Sequence, residues 1–342
     1  MTVDVSAPPT LSSGSDYGTL LAQVREAKLL DRSCLSYLPR ALFVGVSVAA
    51  GLVAFVVIGR SWWQIALAVY FAVVSAQVGF LGHDAGHQQI FRGRRWNDRF
   101  GTVLSTLGVG LSYSWWVDKH NRHHRHPNVI GSDPDVERNV LAWTSEQADL
   151  QRGAVRFIAR NQAAFFFPLL LLEAWNLHVG SARKLASHPG GRKTEVLLLL
   201  AHVACWLVGL TFILTPWQAV SFLAVQQAVF GLYLGCSFAP NHKGMKMPAG
   251  SDPLDFLQRQ VLTSRNITGG RLATWVFGGL NHQIEHHLFP SMPSHNLRRC
   301  RPLVKAFCAT HSIPYCEASI GRSYLQTLRA LHDVRPAKAS RR

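Results

Sequence analysis

Ala163-Ala164-Phe165-Phe166-Phe167-Pro168-Leu169-Leu170-Leu171-Leu172 is the stretch on which the fold of this chain turns. It is apolar, yet only about half of the ~20 residues that a bilayer-spanning helix needs. It contains Pro168 and runs straight into Glu173, Asn176 and His178. Arg160 precedes it and Arg183 and Lys184 follow it, so both ends belong to the same side of a membrane. The stretch is therefore expected to lie in the interface or to dip in and out. That choice sets the parity of everything downstream.

Working outward, residues 41–59, 62–82 and 217–239 carry no charge, and 196–214 carry none apart from the neutral His202. Each is about the length of a spanning helix. Hydrophobic residues make up 48% of the chain and charged ones 16%, in blocks and not at an amphipathic period, which indicates bilayer and not a soluble core. Arg25, Lys28, Arg32 and Arg40 precede the first span, and Arg92, Arg94, Arg95 and Arg99 follow the second. Arg192 and Lys193 precede the third, and Lys243 and Lys246 follow the fourth. The connectors Arg60-Ser61 and Thr215-Pro216 are nearly bare. By the positive-inside rule both termini and the central segment are cytoplasmic. The first span does not read as a cleaved signal peptide, because a long polar segment precedes it and no small-residue cleavage site follows. The expected fold is an all-α membrane protein with four transmembrane helices, one or two interfacial helices, and a cytoplasmic helical cap carrying a di-metal site. Its expected divisions are a polar N-terminal segment (1–40), one membrane-embedded domain with its cap (41–320) and a basic C-terminal tail (321–342).

Three histidine clusters lie beside these spans: His83 with His87, His120 with His123 and His124, and His286 with His287 after Gln283. Residues three or four apart share a helix face, so each cluster can aim its imidazoles at one point. One such pair is commonplace; three in one chain are metal-ligand geometry. All three fall on the cytoplasmic side of the four-span topology, whereas a fifth crossing at 163–172 would put the third opposite the other two. Imidazole suits zinc, copper, iron and nickel. A structural zinc closes with four ligands and a catalytic one takes three, whereas the clusters supply seven histidines, so two ions are indicated. The His-Glu-x-x-His of zinc proteases is absent. Neutral nitrogen ligands at the mouth of a bundle able to enclose an alkyl chain point to a di-iron centre that activates oxygen.

A net charge of +16 invites a nucleic-acid partner, but the basic residues flank spans and crowd the C-terminus (Arg298, Arg299, Arg301, Arg335, Arg341, Arg342). That placement suits topology, anionic lipid, an acidic electron carrier or a charged thioester head. No nucleic-acid partner is expected. Cys34, Cys205, Cys236, Cys300, Cys308 and Cys316 form no Cys-x-x-Cys pair, and free thiols are expected.

Gly82-His83-Asp84-Ala85-Gly86-His87, Lys119-His120-Asn121-Arg122-His123-His124 and Asn281-His282-Gln283-Ile284-Glu285-His286-His287-Leu288-Phe289-Pro290 resemble the three histidine boxes of the integral-membrane fatty acid desaturases. Gln260-Val261-Leu262-Thr263-Ser264-Arg265-Asn266-Ile267 is similar to bacterial members, for which a bacterial inner (cell) membrane is expected. Gln283 in place of a leading histidine resembles the front-end subgroup, which desaturates between an existing double bond and the carboxyl end. The resemblance implies that His83, His87, His120, His123, His124, His286 and His287 ligate two iron ions, with Gln283 a weaker or outer partner. It also implies that His242, following the last span in Pro240-Asn241-His242-Lys243-Gly244, supplies a further nitrogen, with Asn241 and His282 as lesser candidates. Asp84, Asp118, Asp133, Asp135 and Glu285 are candidates to accept the second N–H of those imidazoles.

An unactivated methylene C–H is not acidic, so no separate acid or base residue is expected to act on it. Dioxygen is the expected co-substrate, with a cis double bond as product. Trp115, Trp116, Phe80 and Trp275 are candidate walls of a channel for the acyl chain. His126, before Pro127, is expected in a loop or as an outer partner of the ligands, whereas His178, His188, His202, His295, His311 and His332 lack cluster partners, and packing or solvent is expected for each. His188-Pro189-Gly190-Gly191 copies a cytochrome b5 haem motif but stands too close to the third span for that domain, so no fused haem domain is expected. Electrons would come from a ferredoxin-like or other donor protein with its reductase. A sibling oxygenase, an enzyme of a different class and a non-enzyme compete with this reading. A lipid hydroxylase or ketolase would use the same boxes, a zinc hydrolase needs one metal and a base, and a metal transporter or sensor would place ligands near mid-membrane.

Overall fold

The computed structural model describes residues 15–187 and 192–336. In chain order the helices are α1 (Ser15–Glu26), α2 (Cys34–Ile58), α3 (Gln64–Gly86), α4 (Arg94–Thr102), a π-helix (Val103–Val109), α5 (Tyr113–Arg125), α6 (Ser145–Asp149), α7 (Gly153–Arg160), α8 (Gln162–Leu170) and α9 (Glu173–Ala186). They continue with α10 (Lys193–Ile213), α11 (Pro216–His242), α12 (Phe256–Leu262), α13 (Gly270–Val276), α14 (Gln283–Leu288), α15 (Ser294–Thr310) and α16 (Ile320–Asp333). Two short strands, β1 (Asn266–Thr268) and β2 (Glu317–Ser319), pair in parallel with Ile267 opposite Ala318. The chain is an all-α membrane protein, and among the described residues α2, α3, α10 and α11 are the helices long and apolar enough to cross a bilayer. The His188-Pro189-Gly190-Gly191 sequence and the end of the basic segment, with Arg341 and Arg342, lie outside the described residues.

The stretch around Pro168 folds as two helices, α8 and α9, bent by 68°. Proline has no N–H for the carbonyl four residues back, which weakens the helix there. The bend is then gripped by α11. A Cβ on Gly231 would stand 2.6 Å from Leu170 O and 2.7 Å from Ala174 N, and one on Gly235 would stand 2.4 Å from Leu170 Cδ2. This Gly-x-x-x-Gly pair lets backbone meet backbone at close range, as small residues do in membrane helix packing. Chain segments following α3 and α11 meet at one site, described below. Since α10 and α11 make one excursion and return, α8–α9 enters and leaves by the same face. Cysteines placed at Leu150 and Ala186 in a cysteine-free background should therefore react with an impermeant thiol reagent from the same side of sealed vesicles. Labelling from opposite sides would overturn both the re-entrant hairpin and a single metal centre.

A second irregular segment runs down α3: a Cβ on Gly82 would lie 2.6 Å from Ser105 Oγ, and one on Gly108 would lie 3.1 Å from Val78 Cγ1. Irregular backbone at membrane depth must find partners within the protein. His202 donates from Nδ1 to Leu107 O at 2.8 Å, and His178 from Nδ1 to Gly110 O at 3.0 Å. Both histidines, expected to pack or face solvent, instead close the end of the π-helix. Glu195 accepts from Ser112 Oγ at 2.5 Å and Ser114 N at 3.3 Å, which pins the start of α5.

The cap has its own core, in which Leu20 and Val24 of α1 meet Leu257, Ile284, Leu288 and Val304. The segment 1–40 is thus not merely polar, and the first span begins at Cys34, not 41. The described part of 321–342 is no tail either. Helix α16 packs on α8 and α11, and Gln162 Nε2 donates to Leu331 O at 3.0 Å.

Candidate metal centre

Each box reaches the centre from a different support. Box one ends α3, where Gly82 admits the π-helix, and Gly86 admits Trp116, whose ring would stand 2.6 Å from a Cβ there. Box two lies on α5, with His120, His123 and His124 at helical spacing. Box three is the short α14, entered through Gly278 and Gly279 at φ of +63° and +92°, a backbone region open to glycine.

The imidazoles converge. One ring nitrogen from each of His83, His87, His120 and His286 falls within 4.8 Å of the others, and a second group gathers His123, His242 and His287. His124 lies between the groups: its Nε2 is 3.1 Å from His120 Nε2, and its ring stacks on His287 with centroids 4.2 Å apart. All of these rings are buried except His120, which is half-buried.

Four of the outward nitrogens are occupied. His83 Nδ1 donates to Asp84 at 3.1 Å, His123 Nδ1 to Asp133 at 2.9 Å, His242 Nδ1 to Thr263 O at 2.9 Å and His287 Nδ1 to Gln260 Oε1 at 2.9 Å. A neutral ring that donates from one nitrogen presents a bare lone pair at the other. His123 Nε2 and His242 Nε2 thus face each other at 3.3 Å as two acceptors. His83 Nε2, His87 Nε2, His287 Nε2 and both nitrogens of His286 are buried without a partner. Lone pairs in this arrangement repel unless a cation lies among them. Burial, followed by the neighbouring imidazoles, lowers the pKa of His120, His124, His286 and His287 well below the usual value. The rings are therefore neutral near pH 7, the state in which they bind metal. The donor set of eight imidazoles fits two ions of borderline softness.

Other candidates are sorted by direction. Asp84 and Asp133 reach imidazoles, and Asp135 stands 3.6 Å from His123 Nδ1 while pairing with Lys119. Asp118 does not: it is more than half exposed and lies 3.9 Å from Arg122. Glu285 does not either. It accepts from Tyr315 Oη at 2.6 Å and Asn266 Nδ2 at 2.8 Å, and burial pushes its pKa up to about 7. Gln283 Nε2 donates to His242 Nε2 at 2.9 Å, at the lone pair a metal would take. Asn241 turns away to Ser237 O and Leu280 O, at 2.9 and 3.1 Å. His282 turns away too, with Nε2 3.3 Å from Thr274 Oγ1. Of the aromatic candidates only Trp116 touches the cluster, stacked on His120 at 4.5 Å. Trp115 packs on Gly180, Phe80 on Gly278 and Tyr233, and Trp275 on Phe43.

Gln260 and Thr263 were not among the expected partners. They sit one turn apart at the end of α12, and Gln260 Nε2 also donates to His124 O at 2.9 Å, tying box two to box three. Removing a partner that orients a metal ligand typically costs roughly 10–100-fold in affinity or activity. Asp133→Ala is therefore expected to weaken metal binding by about that factor, read by titration of the metal-free protein. An unchanged affinity would remove Asp133 from this role.

A family model described as fatty acid desaturase matches residues 60–319. The chain is 32% identical to an acyl-lipid (9-3)-desaturase of Physcomitrium patens over 97% of its own length and 65% of the moss protein. It is 30% identical to a delta(6)-fatty-acid desaturase of Caenorhabditis elegans, covering 80% of this chain and 65% of that one. A delta(5) fatty acid desaturase of the same animal is 31% identical, over 92% and 72%. The chain thus spans somewhat less than two thirds of the first two relatives.

Proposed function

Because this chain belongs to the fatty acid desaturase family, we propose that it is an oxygen-dependent di-iron desaturase that places a cis double bond in a long-chain fatty acyl lipid or acyl thioester. The single observation that carries the reading is the convergence of seven imidazoles in two groups, four of them with buried, unpartnered Nε2 atoms, at the mouth of a four-span bundle. His83, His87, His120 and His286 would hold one ion and His123, His242 and His287 the other, with His124 between them. Two bound iron ions supply the dioxygen chemistry that an unactivated C–H bond requires. Overall, two hydrogens from adjacent methylenes, two electrons and two protons convert one dioxygen to two waters.

The chain's own residues fix the rest. Asp84, Asp133, Thr263 and Gln260 hold the tautomers of His83, His123, His242 and His287, so that the inward nitrogens of those four rings carry no proton. Burial keeps bulk water from the reacting carbon pair. Trp116, stacked on His120 and edge-on to His83 at 5.4 Å, is the wall against which an acyl chain would rest. Gln283 and the names of the relatives favour front-end placement, between an existing double bond and the carboxyl end. The basic span ends support a site on the cytoplasmic face of a bacterial inner membrane, where a ferredoxin-like or other donor protein with its reductase would deliver electrons.

Expression in a host supplied with unsaturated acyl chains tests this, with double-bond positions read by gas chromatography and mass spectrometry and iron counted in the purified protein. A new double bond on the carboxyl side and two irons per chain are expected. A hydroxylated product would move the chain to the sibling oxygenases, and an iron-free active protein would refute the metal assignment.

A further inference from the structure

The last span ends with its carbonyls satisfied from outside the helix. Pro240 lies in the final turn of α11 and has no N–H to offer the Cys236 carbonyl, which accepts instead from Tyr324 Oη at 2.7 Å. The next carbonyls are collected by one residue. Arg265 donates from Nε and Nη2 to Pro240 O at 2.9 and 2.5 Å, from Nη2 to Lys243 O at 2.8 Å, and from its backbone N to Asn241 O at 2.8 Å. Nη1 donates to Gln326 Oε1 at 2.7 Å, and Thr327 Oγ1 lies 3.5 Å from Nη2. Arg265 is 1% exposed, and each of these acceptors is an uncharged oxygen.

Burying a guanidinium without an acid is costly unless its surroundings are polarised to receive it. The negative end of a helix dipole is such a place. The carbonyls that Arg265 gathers flank His242, and Thr263, which fixes the His242 tautomer, is two residues before Arg265 in the chain. We propose that Arg265, braced by Gln326 and Thr327 of α16, is a positioning residue that sets the reach of His242, so that the C-terminal helix completes the second group of nitrogens. This rests on the iron reading above. Arg265 touches neither substrate nor metal; it acts through the end of α11. The effect should be selective, because His83, His87, His120 and His286 are carried on α3, α5 and α14 and not on α11.

The full-length chain in detergent decides it, as wild type, Arg265→Met, Arg265→Lys and Tyr324→Phe, each checked for a single dispersed species. Iron is counted after anaerobic loading, and cobalt(II) is titrated into metal-free protein while its ligand-field bands are followed. The wild type should take two ions. Arg265→Met should hold the first normally and bind the second about 10-fold more weakly or worse, with Arg265→Lys in between. Tyr324→Phe, which lacks one hydroxyl, should weaken the second step alone, and it carries the test if Arg265→Met does not fold. Two ions of wild-type affinity in both Arg265→Met and Tyr324→Phe would overturn the proposal. So would equal loss of both ions, since Arg265 would then serve only the cap as a whole. A wild type that binds no metal would defeat the iron reading itself.

Discussion

His287→Ala is expected to abolish desaturation and to remove at least one iron while leaving a membrane-inserted, monodisperse protein. Its ring stacks at 4.2 Å on His124, which lies between the two groups, and stands 4.6 Å from His242 and 5.1 Å from His123 in the second. Its Nδ1 is committed to Gln260, so Nε2 is the only nitrogen it can give. Losing a ligand should exceed the roughly 10–100-fold cost of losing an orienting partner. The fold should survive, because α14 is held by Ile284 and Leu288 in the cap core. In the metal-free chain the substitution also removes one of several repelling lone pairs. His120→Ala and His124→Ala should behave alike, whereas His311, stacked on Phe307 far from the cluster, should tolerate alanine. Lipid analysis and iron content read the outcome together. Wild-type product from His287→Ala would remove box three from the site.

The spans and the three boxes were legible because they are local: an uncharged run of spanning length, and histidines repeating at helical spacing. The dip around Pro168 was legible from charge at its ends, but its grip by Gly231 and Gly235 was not, since their pairing lies with residues some sixty positions away. Adjacency misled in two places. Asp118 is two residues from His120, and on a helix that separation points to different faces; it pairs with Arg122 instead. Glu285 precedes His286 by one residue and is turned about 100° from it, toward Tyr315 and Asn266. Gln260 and Thr263 could not be assigned to His287 and His242, because those contacts exist only once α12 has folded across the mouth of the bundle. The roles of His178 and His202 were hidden for a similar reason. They close the end of the π-helix, through contacts with residues some seventy and ninety-five positions away.

Three residues near the third box should separate sharply, with His242→Ala losing activity and at least one iron, Gln283→His keeping a measurable fraction, and His282→Ala the mildest. His242 gives Nδ1 to Thr263 and turns Nε2 to within 3.3 Å of His123 Nε2, inside the second group. That group has three members, so losing one leaves two imidazoles, fewer than a bound ion normally keeps from protein. Gln283 Nε2 stands 2.9 Å from His242 Nε2, close enough for an imidazole at 283 to offer a nitrogen of its own. The larger ring must share space with Asn241, whose Nδ2 donates to Gln283 Oε1 at 3.2 Å, and so only part of the activity should remain. His282 precedes α14, and the turn through Gly278 and Gly279 carries its ring toward Thr274 and Asn281. Its alanine variant loses those weak contacts and no member of either group. Iron per chain and product yield, measured side by side on the three variants, give the ranking. An inactive, iron-depleted His282→Ala beside a working His242→Ala would reverse the assignment and place the ligand at the head of box three.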